Sequence, residues 1–335
     1  MRLATLRNEI ADGQLVMVSR DGARCLLAPS PSLIQAIEHW ADIEPALRSI
    51  AARIDAGEGE ALDPALLRAP LPRSWQWLDG SAFSTHGELM QIAFNLPPVE
   101  SDRPLMYQGI SDRFYGPNDP IPFPDEADGI DFEGEFGVIV DAVPMGVSPE
   151  EALGHIKLVV QINDWSLRAI APVEMKTGFG WVQAKPACSM APFAVTPDEL
   201  GDAWRSGRVC MDLHVDCNGK AFGRANGSAM DFGFHDLVAH AARTRDLVAG
   251  TIIGSGTVSN PNYAEVGSSC ISEVRAIEII RDGHPSTPFM RHGDTVRMEG
   301  LDLNGSAPFG IIEQSVAIGI PATGQPAEHG KWSAG

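Results

Sequence analysis

The segment GIDFEGEFGVIV, residues 129–140, carries the pattern that most narrows the possible fold. Its even positions are mainly apolar, and its odd positions include three acids, Asp131, Glu133 and Glu135. Successive side chains of a strand point to opposite faces, so the pattern predicts a strand with the three carboxylates on one face. Like charges about 7 Å apart destabilise such a face unless water or a cation separates them. A solvated outer face and a cation site are both open interpretations.

The chain beyond about residue 70 has the pattern of a β-rich domain. Short apolar runs alternate with Gly, Pro and Asn turns, and Asn218-Gly219 and Asn304-Gly305 predict hairpins. One helix is predicted to begin at Ser148, where S-P-E-E supplies a cap, and another runs through HDLVAHAART from His235. The predicted fold class is therefore α+β and rich in strands.

The first 70 residues predict a small separate domain. Asp12-Gly13 and Asp21-Gly22 separate short apolar runs and predict hairpins, and apolar residues at helical spacing over 32–54 predict one helix. The following DAGEGEALDPALLRAPLPRS is rich in Gly, Pro, Ala and acid, which favours a boundary there. We therefore predict an N-terminal domain at 1–70, a catalytic domain at 71–322 and a flexible tail at 323–335.

The net charge of the 335-residue chain limits its partners. The formal value is -19 at pH 7, so nucleic acid and anionic membrane surfaces are not expected to bind. The sequence has no apolar run long enough for a membrane span or a signal peptide. Its five scattered cysteines contain no C-x-x-C pair, which argues against a disulfide framework and a zinc ribbon. These observations predict a cytoplasmic protein.

Further acids occur outside the first segment. The apolar run in LVVQINDWSLR ends in Asn163-Asp164, and Arg168 follows four residues later. Asp79 lies in WLDGSAFSTHGEL, seven residues before His86. Taken singly, these residues are explained by an Asx turn, a surface arginine and an isolated histidine.

Taken together, four of the acids make an all-oxygen ligand set: Asp79, Glu133, Glu135 and Asp164. Hard oxygen ligands suit Mg²⁺, Ca²⁺ or Mn²⁺, whereas zinc normally requires His or Cys. The sequence therefore predicts a divalent cation as cofactor, with Mg²⁺ or Ca²⁺ favoured and Mn²⁺ possible.

Several motifs in register resemble the fumarylacetoacetate hydrolase family. They are D-F-E-G-E, V-Q-I-N-D-W-S-L-R, Q-A-K-P-A, G-S-G-T-V-S and G-S-S-C-I-S-E, over about residues 71 to 320. Two further segments, L-P-R-S-W-Q-W-L-D-G-S-A-F and P-L-M-Y-Q-G-I-S-D, resemble bacterial members that have a short N-terminal domain. The resemblance implies a mixed β-sandwich roll as the catalytic domain, preceded by a small β-barrel-like N-terminal domain.

The resemblance also implies roles for individual residues. Asp79, Glu133, Glu135 and Asp164 match the positions at which the family binds its divalent cation. His86 would activate water, and Glu273 would orient and stabilise that histidine, with Glu88 as the alternative partner.

Five further positions match family residues that face the substrate. Arg168 and Lys185 match cationic residues placed against a developing oxyanion. Tyr107, Gln108 and Thr257 match positions that contact substrate.

The function implied by the resemblance is metal-dependent hydrolysis of a carbon–carbon bond in a β-diketo acid. Fumarylacetoacetate or an acylpyruvate would be the substrate, in aromatic compound or tyrosine catabolism, and the enzyme would be a homodimer. Ala171 replaces a glutamine of the animal-type members, so the acyl group is left open. A decarboxylase, isomerase or dehydratase on the same scaffold is the first alternative. A non-catalytic, carboxylate-lined cation-binding module is the second.

Overall fold

The computed structural model of the chain describes residues 1–95, 97 and 102–319. The predicted tail, 323–335, lies outside the described residues. The strands are β1 (Arg2–Leu6), β2 (Gln14–Val18), β3 (Arg24–Leu27), β4 (Glu60–Ala61), β5 (Trp77–Ser81), β6 (Leu105–Gly109), β7 (Ile121–Phe123), β8 (Ile130–Asp131), β9 (Gly134–Val140), β10 (Ile156–Asn163), β11 (Ser166–Leu167), β12 (Ser189–Met190), β13 (Ala194–Val195), β14 (Trp204–Arg205), β15 (Arg208–Val209), β16 (Asp212–Cys217), β17 (Lys220–Asn226), β18 (Ile252–Gly254), β19 (Thr295–Leu301) and β20 (Ile311–Ile318).

Eight α-helices lie between these strands in the described part of the chain. They are α1 (Leu33–Glu38), α2 (Trp40–Asp55), α3 (Ser84–Phe94), α4 (Pro149–Ala152), α5 (Ala171–Thr177), α6 (Phe234–Ala241), α7 (Tyr263–Val266) and α8 (Ile271–Asp282).

Two mixed sheets organise the molecule. The larger has the order β4-β3-β2-β1-β13-β10-β9-β18-β5-β6, with β12 also paired to β10, and the smaller has the order β17-β16-β19-β20-β7. The pairs β18–β5 and β20–β7 are parallel, and the other pairs within these two sheets are antiparallel. The prediction of a β-rich α+β fold is confirmed.

The larger sheet lies between two apolar clusters. Phe136 and Val138 of β9 belong to the cluster shared with the smaller sheet, whereas Ile139 belongs to the one shared with α1 and α2. This alternation is the period of a strand that is buried on both faces. Buried Gln161 of β10 also links the sheets, because its Nε2 donates to the Met298 carbonyl over 3.1 Å.

Residues 1–70 continue the larger sheet through the pairing of β1 with β13. The hairpins predicted at Gly13 and Gly22 are confirmed, with positive φ angles of 66° and 71°. The predicted single helix over 32–54 is wrong in one respect, because His39 has non-helical angles (φ -123°, ψ 33°) and separates α1 from α2. The break lets both helices bury apolar residues in the same cluster. The division near residue 70 stays a prediction.

The three acids of the first segment do not lie on one continuous strand. β8 pairs with β11 and β9 pairs with β10, so the predicted single strand is wrong. Between them the Glu133 amide donates to Asn163 Oδ1 over 3.1 Å, and the Gly134 amide donates to the Ser269 carbonyl over 2.9 Å. Asp131, Glu133 and Glu135 are all buried, which rules out a solvated outer face.

Four other local predictions are confirmed. Asn218 and Gly219 form the tight turn between β16 and β17 with positive φ angles, as predicted. Gly305 lies in the loop 302–310 that joins the antiparallel strands β19 and β20, so the predicted hairpin is present, with a longer loop. The capping box at Ser148 and the helix at His235 are confirmed as α4 and α6. Among the described residues, no helix combines the length and apolar character that a membrane crossing requires.

Glu278 of α8 holds the chain that returns toward β8. Its buried carboxylate accepts hydrogen bonds from the amides and hydroxyls of Ser286 and Thr287, over 2.6 to 2.9 Å. Three residues later the Met290 amide donates to the Ile130 carbonyl, beside the first acid of the site. Burial opposes ionisation, but the bonds from Thr287 and Ser286 outweigh it and lower the pKa of Glu278 to about 2.

We expect Glu278→Gln to destabilise the protein at neutral pH, since the amide cannot accept all four bonds. A depressed pKa stabilises the fold above the unfolded value of 4.5, and that stability is lost as the pH falls through about 2. The difference from the parent should therefore shrink between pH 4.5 and 2. Urea unfolding at several pH values measures it, and a pH-independent difference would contradict this account.

Candidate active site

Three buried carboxylates meet at one end of the central strands. Asp79 lies on β5, Glu135 lies on β9 and Asp164 directly follows β10, and one oxygen of each falls within 4.8 Å of the others. Gly254 of β18 pairs with Asp79 on one side and with β9 on the other. A side chain at Gly254 would collide with the Asp79 carboxylate, so a glycine is required there.

These carboxylates are poorly compensated by hydrogen bonds. Asp79 Oδ1 accepts one bond from the Gly256 amide over 3.0 Å, while neither oxygen of fully buried Glu135 has a donor among the described residues. Burial first, and then the neighbouring carboxylates, raise the pKa of Asp79 and of Glu135 well above their usual range. Such a group is stable only if it holds protons or binds a cation.

The arrangement fits a hard divalent cation. Its donors are all carboxylate oxygens, they converge, and Glu135 offers two unbonded oxygens, which is the chemistry that Mg²⁺, Ca²⁺ and Mn²⁺ prefer. Asp79, Glu135 and Asp164 would hold the ion, as three of the four residues expected from the sequence.

Glu133, the fourth expected ligand, has its oxygens bonded to other side chains. Lys185 Nζ lies 2.7 Å from Glu133 Oε1, and the Ser166 and Thr257 hydroxyls each donate to the carboxylate over 2.5 Å. Burial raises the pKa of Glu133, but Lys185, Arg168 and His86 outweigh it and hold the pKa below its usual range. Glu133 is thus ionised beside the cluster, and its role as a ligand stays a prediction.

Lys185 joins Glu133 to the three-carboxylate cluster. Its Nζ also donates to Asp164 Oδ2 over 2.6 Å, and the side chain is buried. Burial alone would lower the pKa of Lys185, but Asp164 and Glu133 outweigh it and raise the pKa above its usual value. Lys185 is therefore a fixed positive charge at the edge of the proposed cation site.

Arg168 is held by two carboxylates. Its Nε donates to Asp131 Oδ2 over 2.8 Å, and a terminal guanidinium nitrogen forms an ion pair, without hydrogen-bond alignment, 2.8 Å from Glu133 Oε1. Asp131 also accepts bonds from the Ile271 and Ser272 amides at the start of α8. Asp131 thus fixes Arg168 to the helix that carries Glu273.

His86 and Glu273 form a hydrogen-bonded pair. His86 lies in the first turn of α3, whose Ser84 amide is capped by Asp231, and its Nδ1 lies 2.9 Å from Glu273 Oε2. Glu273 is fully buried in the first turn of α8. Glu88 is exposed, so the structure pairs the histidine with Glu273 rather than with the alternative acid.

The expected substrate-contacting residues fall in two groups. Tyr107 of β6 lies opposite Asp79 in the strand register and donates from its hydroxyl to Asp164 Oδ2 over 2.7 Å. Thr257 contacts Glu133, as described above. Gln108 follows Tyr107 on the same strand and is exposed, which places it on the opposite face and away from the cluster.

Sequence reasoning missed several residues that line this region. Trp181 packs edge-on against Tyr107 with ring centroids 4.8 Å apart, and the Cys188 thiol donates to Asp164 Oδ1 over 3.0 Å. Cys270 caps α8 at the Glu273 amide. These residues follow no periodic pattern, and only the short separation of Trp181 and Cys188 from Lys185 could have suggested them.

The chain matches two family models over most of its length. Residues 76–317 match the model described as "Fumarylacetoacetate (FAA) hydrolase C-terminal", and residues 1–73 match "Fumarylacetoacetase N-terminal domain 2". The first match alone covers more than half of the chain. The protein therefore belongs to the fumarylacetoacetate hydrolase family, whose enzymes include hydrolases and isomerases.

Individual relatives share this family but differ in their named reactions. The 2,4-didehydro-3-deoxy-L-rhamnonate hydrolase of Sphingomonas sp. strain SKA58 is 31% identical over 170 residues, which cover 50% of this chain and 56% of the relative. The mitochondrial oxaloacetate tautomerase fahd2 of Xenopus laevis is 26% identical over 168 residues, which cover 48% and 49%. The chain thus spans about half the length of these two relatives.

Solved structures show the same fold. Maleylpyruvate hydrolase from Sphingobium sp. SYK-6, in complex with manganese(II) and pyruvate, superposes with a TM-score of 0.65 at 17% identity. The match covers 96% of this chain and 100% of that chain. At 17% identity this similarity establishes the fold alone, and the reaction has to be inferred from the residues of the site.

We expect Glu135→Gln to weaken Mn²⁺ binding at least about tenfold, since loss of a direct ligand should cost no less than loss of an outer-shell partner. Binding to the parent should release protons, because the raised pKa values of Asp79 and Glu135 keep protons on them until a cation arrives. Affinity should therefore fall as the pH falls.

Calorimetric titration of Mn²⁺ in two buffers of different ionisation enthalpy measures both the affinity and the number of protons released. Glu150→Gln, on the exposed side of α4, is the matched control and should bind like the parent. Equal affinity of Glu135→Gln and the parent would remove Glu135 from the cation site.

Proposed function

We propose that the protein is a metal-dependent hydrolase that cleaves the carbon–carbon bond of a β-diketo acid, either an acylpyruvate or fumarylacetoacetate. The observation that carries the proposal is the convergence of Asp79, Glu135 and Asp164 beside the His86–Glu273 pair. A cation site alone would support binding, and a histidine alone would support many functions. Their combination supports activation of water next to a chelated substrate.

A bound divalent cation would supply orientation of two substrate oxygens and uptake of negative charge. A β-diketo acid has oxygens at the spacing that chelation requires, whereas a simple ester does not. Proton transfer and stabilisation of the oxyanion would come from the side chains of this protein.

His86 would take the proton from water. Its Nδ1 contacts the Glu273 carboxylate, which fixes the ring and leaves Nε2 as the free base. The hydroxide formed adds to the acyl carbonyl carbon and gives a tetrahedral oxyanion. Buried Glu273 would stabilise the imidazolium that forms, as a carboxylate paired with a catalytic histidine does in other hydrolases.

Lys185 and Arg168 would favour the negative charge that builds up on the substrate. Both are buried and ionised, and Lys185 already reaches Asp164 at the edge of the cation site. When the oxyanion collapses, the carbon–carbon bond breaks, and its electron pair leaves as an enolate. Protonation at carbon completes the two products, which are a carboxylic acid and pyruvate from an acylpyruvate, or fumarate and acetoacetate from fumarylacetoacetate.

A proton-transfer enzyme on the same scaffold is the second candidate. His86 and Glu273 could move a proton at carbon without water adding, and the name of one relative, an oxaloacetate tautomerase, supports this candidate. We also propose a cytoplasmic homodimer that acts in the catabolism of aromatic compounds or tyrosine, with a small β-diketo acid as its binding partner. The family supports the pathway and the homodimer as proposals, and the scattered cysteines and the lack of a long apolar run support the cytoplasm.

We expect acylpyruvates or fumarylacetoacetate to be consumed in the presence of Mg²⁺ or Mn²⁺, with simple esters untouched, because only the diketo acids chelate and leave as enolates. Loss of the enol absorbance should match acid release, and chelation of the metal should abolish both. An isomer or decarboxylation product from an otherwise intact panel would establish the alternative enzyme. Tight metal binding with no turnover would establish the non-catalytic module.

We expect His86→Ala to bind Mn²⁺ like the parent but to lose roughly 10²- to 10⁴-fold in kcat, the usual contribution of a general base. Glu273→Gln should lose less, because the amide still positions the ring but no longer stabilises its charge. Glu88→Gln is the control and should retain parental kcat, since Glu88 is exposed. Steady-state kinetics decides, and loss of metal binding in His86→Ala would overturn its assignment as base.

A further inference from the structure

The loop that follows α5 brings two side chains to the outer edge of the site. Lys185 contacts Asp164 and Glu133, and Trp181 packs against Tyr107, whose hydroxyl bonds to Asp164. Lys185 Nζ lies 5.4 Å from the Tyr107 ring centroid and 5.7 Å from that of Trp181. The two aromatic rings and the ammonium therefore form one wall that begins at the carboxylates and extends outward to Trp181.

Trp181 has an unused hydrogen-bond donor in this wall. Its indole Nε1 is buried, and among the described residues it has no hydrogen-bond partner. Buried donors in folded proteins are normally paired, so an unpaired one next to a site indicates a place for a ligand acceptor or a water. The other aromatic of the loop, Phe179, is 98% exposed and lacks this position.

Glu174 fixes the backbone between these two side chains. Its carboxylate accepts hydrogen bonds from the amides of Val182, Gln183 and Ala184, over 3.0 to 3.1 Å. These three residues fill the interval between Trp181 and Lys185. A single acid on α5 thus closes the loop at the point where it delivers both side chains.

We propose that Trp181 contacts the acyl part of the substrate and selects planar acyl groups that carry a hydrogen-bond acceptor, and that Glu174 is the positioning residue of this wall. This inference rests on the proposed function, since it assumes that the 2-oxo acid end of the substrate lies at the carboxylate cluster. A chain extending from there passes Tyr107 and Lys185 before it reaches Trp181. The flat faces of the Trp181 and Tyr107 rings suit unsaturated carbon in the substrate, and the Trp181 indole N–H suits a terminal carboxylate or carbonyl.

The test compares two acylpyruvates that differ only beyond the diketo acid. Acetylpyruvate ends in a methyl group, whereas fumarylpyruvate continues as a planar chain with a terminal carboxylate. Trp181→Phe, which keeps a ring but removes the donor, should lower the ratio of kcat/KM for fumarylpyruvate over acetylpyruvate about tenfold, the loss expected for one hydrogen bond to a charged group. Trp181→Ala should lower it further. Inhibition by pyruvate, which reaches only the carboxylate cluster, should change less than twofold.

Phe179→Ala is the matched control, because it removes an exposed aromatic from the same loop, and it should keep the parental ratio. Glu174→Ala should lower kcat for both substrates through Lys185 and should raise amide hydrogen exchange at 182–184. Glu174→Gln, whose amide oxygen still accepts, should recover part of both effects. A merely structural role for Glu174 would lower stability without the shift in kcat or the partial rescue.

The outcomes separate this inference from the proposed function. If the parent turns over both substrates and Trp181→Phe keeps their ratio within twofold, the Trp181 assignment is overturned and the proposed function stands. If the parent consumes neither substrate and does not bind pyruvate, both are overturned together. Parental exchange at 182–184 in Glu174→Ala would overturn the positioning role alone.

Discussion

The concentration of negative charge in a buried space is the constraint on which the site depends. Five carboxylates are buried there and two cations, Arg168 and Lys185, lie among them; the acids are Asp79, Asp131, Glu133, Glu135 and Asp164. A buried charge is costly unless it is paired, protonated or bound to metal. The acids meet this requirement in different ways, and those differences support the roles proposed for them.

The two cations divide the acids into a compensated and an uncompensated group. Arg168 pairs with Asp131, although burial still raises the pKa of that acid, and Arg168 and Lys185 together hold the pKa of Glu133 low. Asp79 and Glu135 have no cation in contact, and burial with the neighbouring carboxylates raises their pKa values well above the usual range. Asp164 joins the groups, since it accepts from Lys185 and faces the other two acids. A divalent cation bound by Asp79, Glu135 and Asp164 would balance the negative charge that is otherwise balanced there by protons.

The sequence predicted the residues of this site better than it predicted their contacts. Alternation in 129–140 identified the acids, and the motifs placed His86, Glu273, Arg168 and Lys185 in the same region, where the structure has them. The break between β8 and β9 was not predictable, because it depends on Asn163 and Ser269, which are distant in sequence. Periodicity describes a strand and its faces, but not the long-range bonds that end it.

Short helices and loops were predicted least well, for the same physical reason. The break at His39 lies within a helical pattern whose apolar residues continue on either side, so only packing beneath the sheet reveals it. The hydrogen bonds that Glu174 accepts at 182–184 come from backbone amides, which every residue type except proline has, so the sequence does not indicate them. Trp181 was missed because the two aromatics of the loop, Phe179 and Trp181, form no periodic pattern that separates the buried ring from the exposed one.

The sequence pattern that identifies the inner residues of the site also does not identify the substrate. Under the proposed function, the carboxylates, the His86–Glu273 pair and Lys185 would provide a cation site, a base and a positive charge, and that set is compatible with both hydrolysis and proton transfer at carbon. The inner residues therefore define the family chemistry without selecting a substrate. In our proposal, selection comes from contact with the part of the substrate remote from the cation, and this is the role given to Trp181 in the wall that it forms with Tyr107 and Lys185. Because Glu174 rather than the sheets fixes the backbone at 182–184, Trp181 can vary in sequence without disturbing the charge balance on which the site depends.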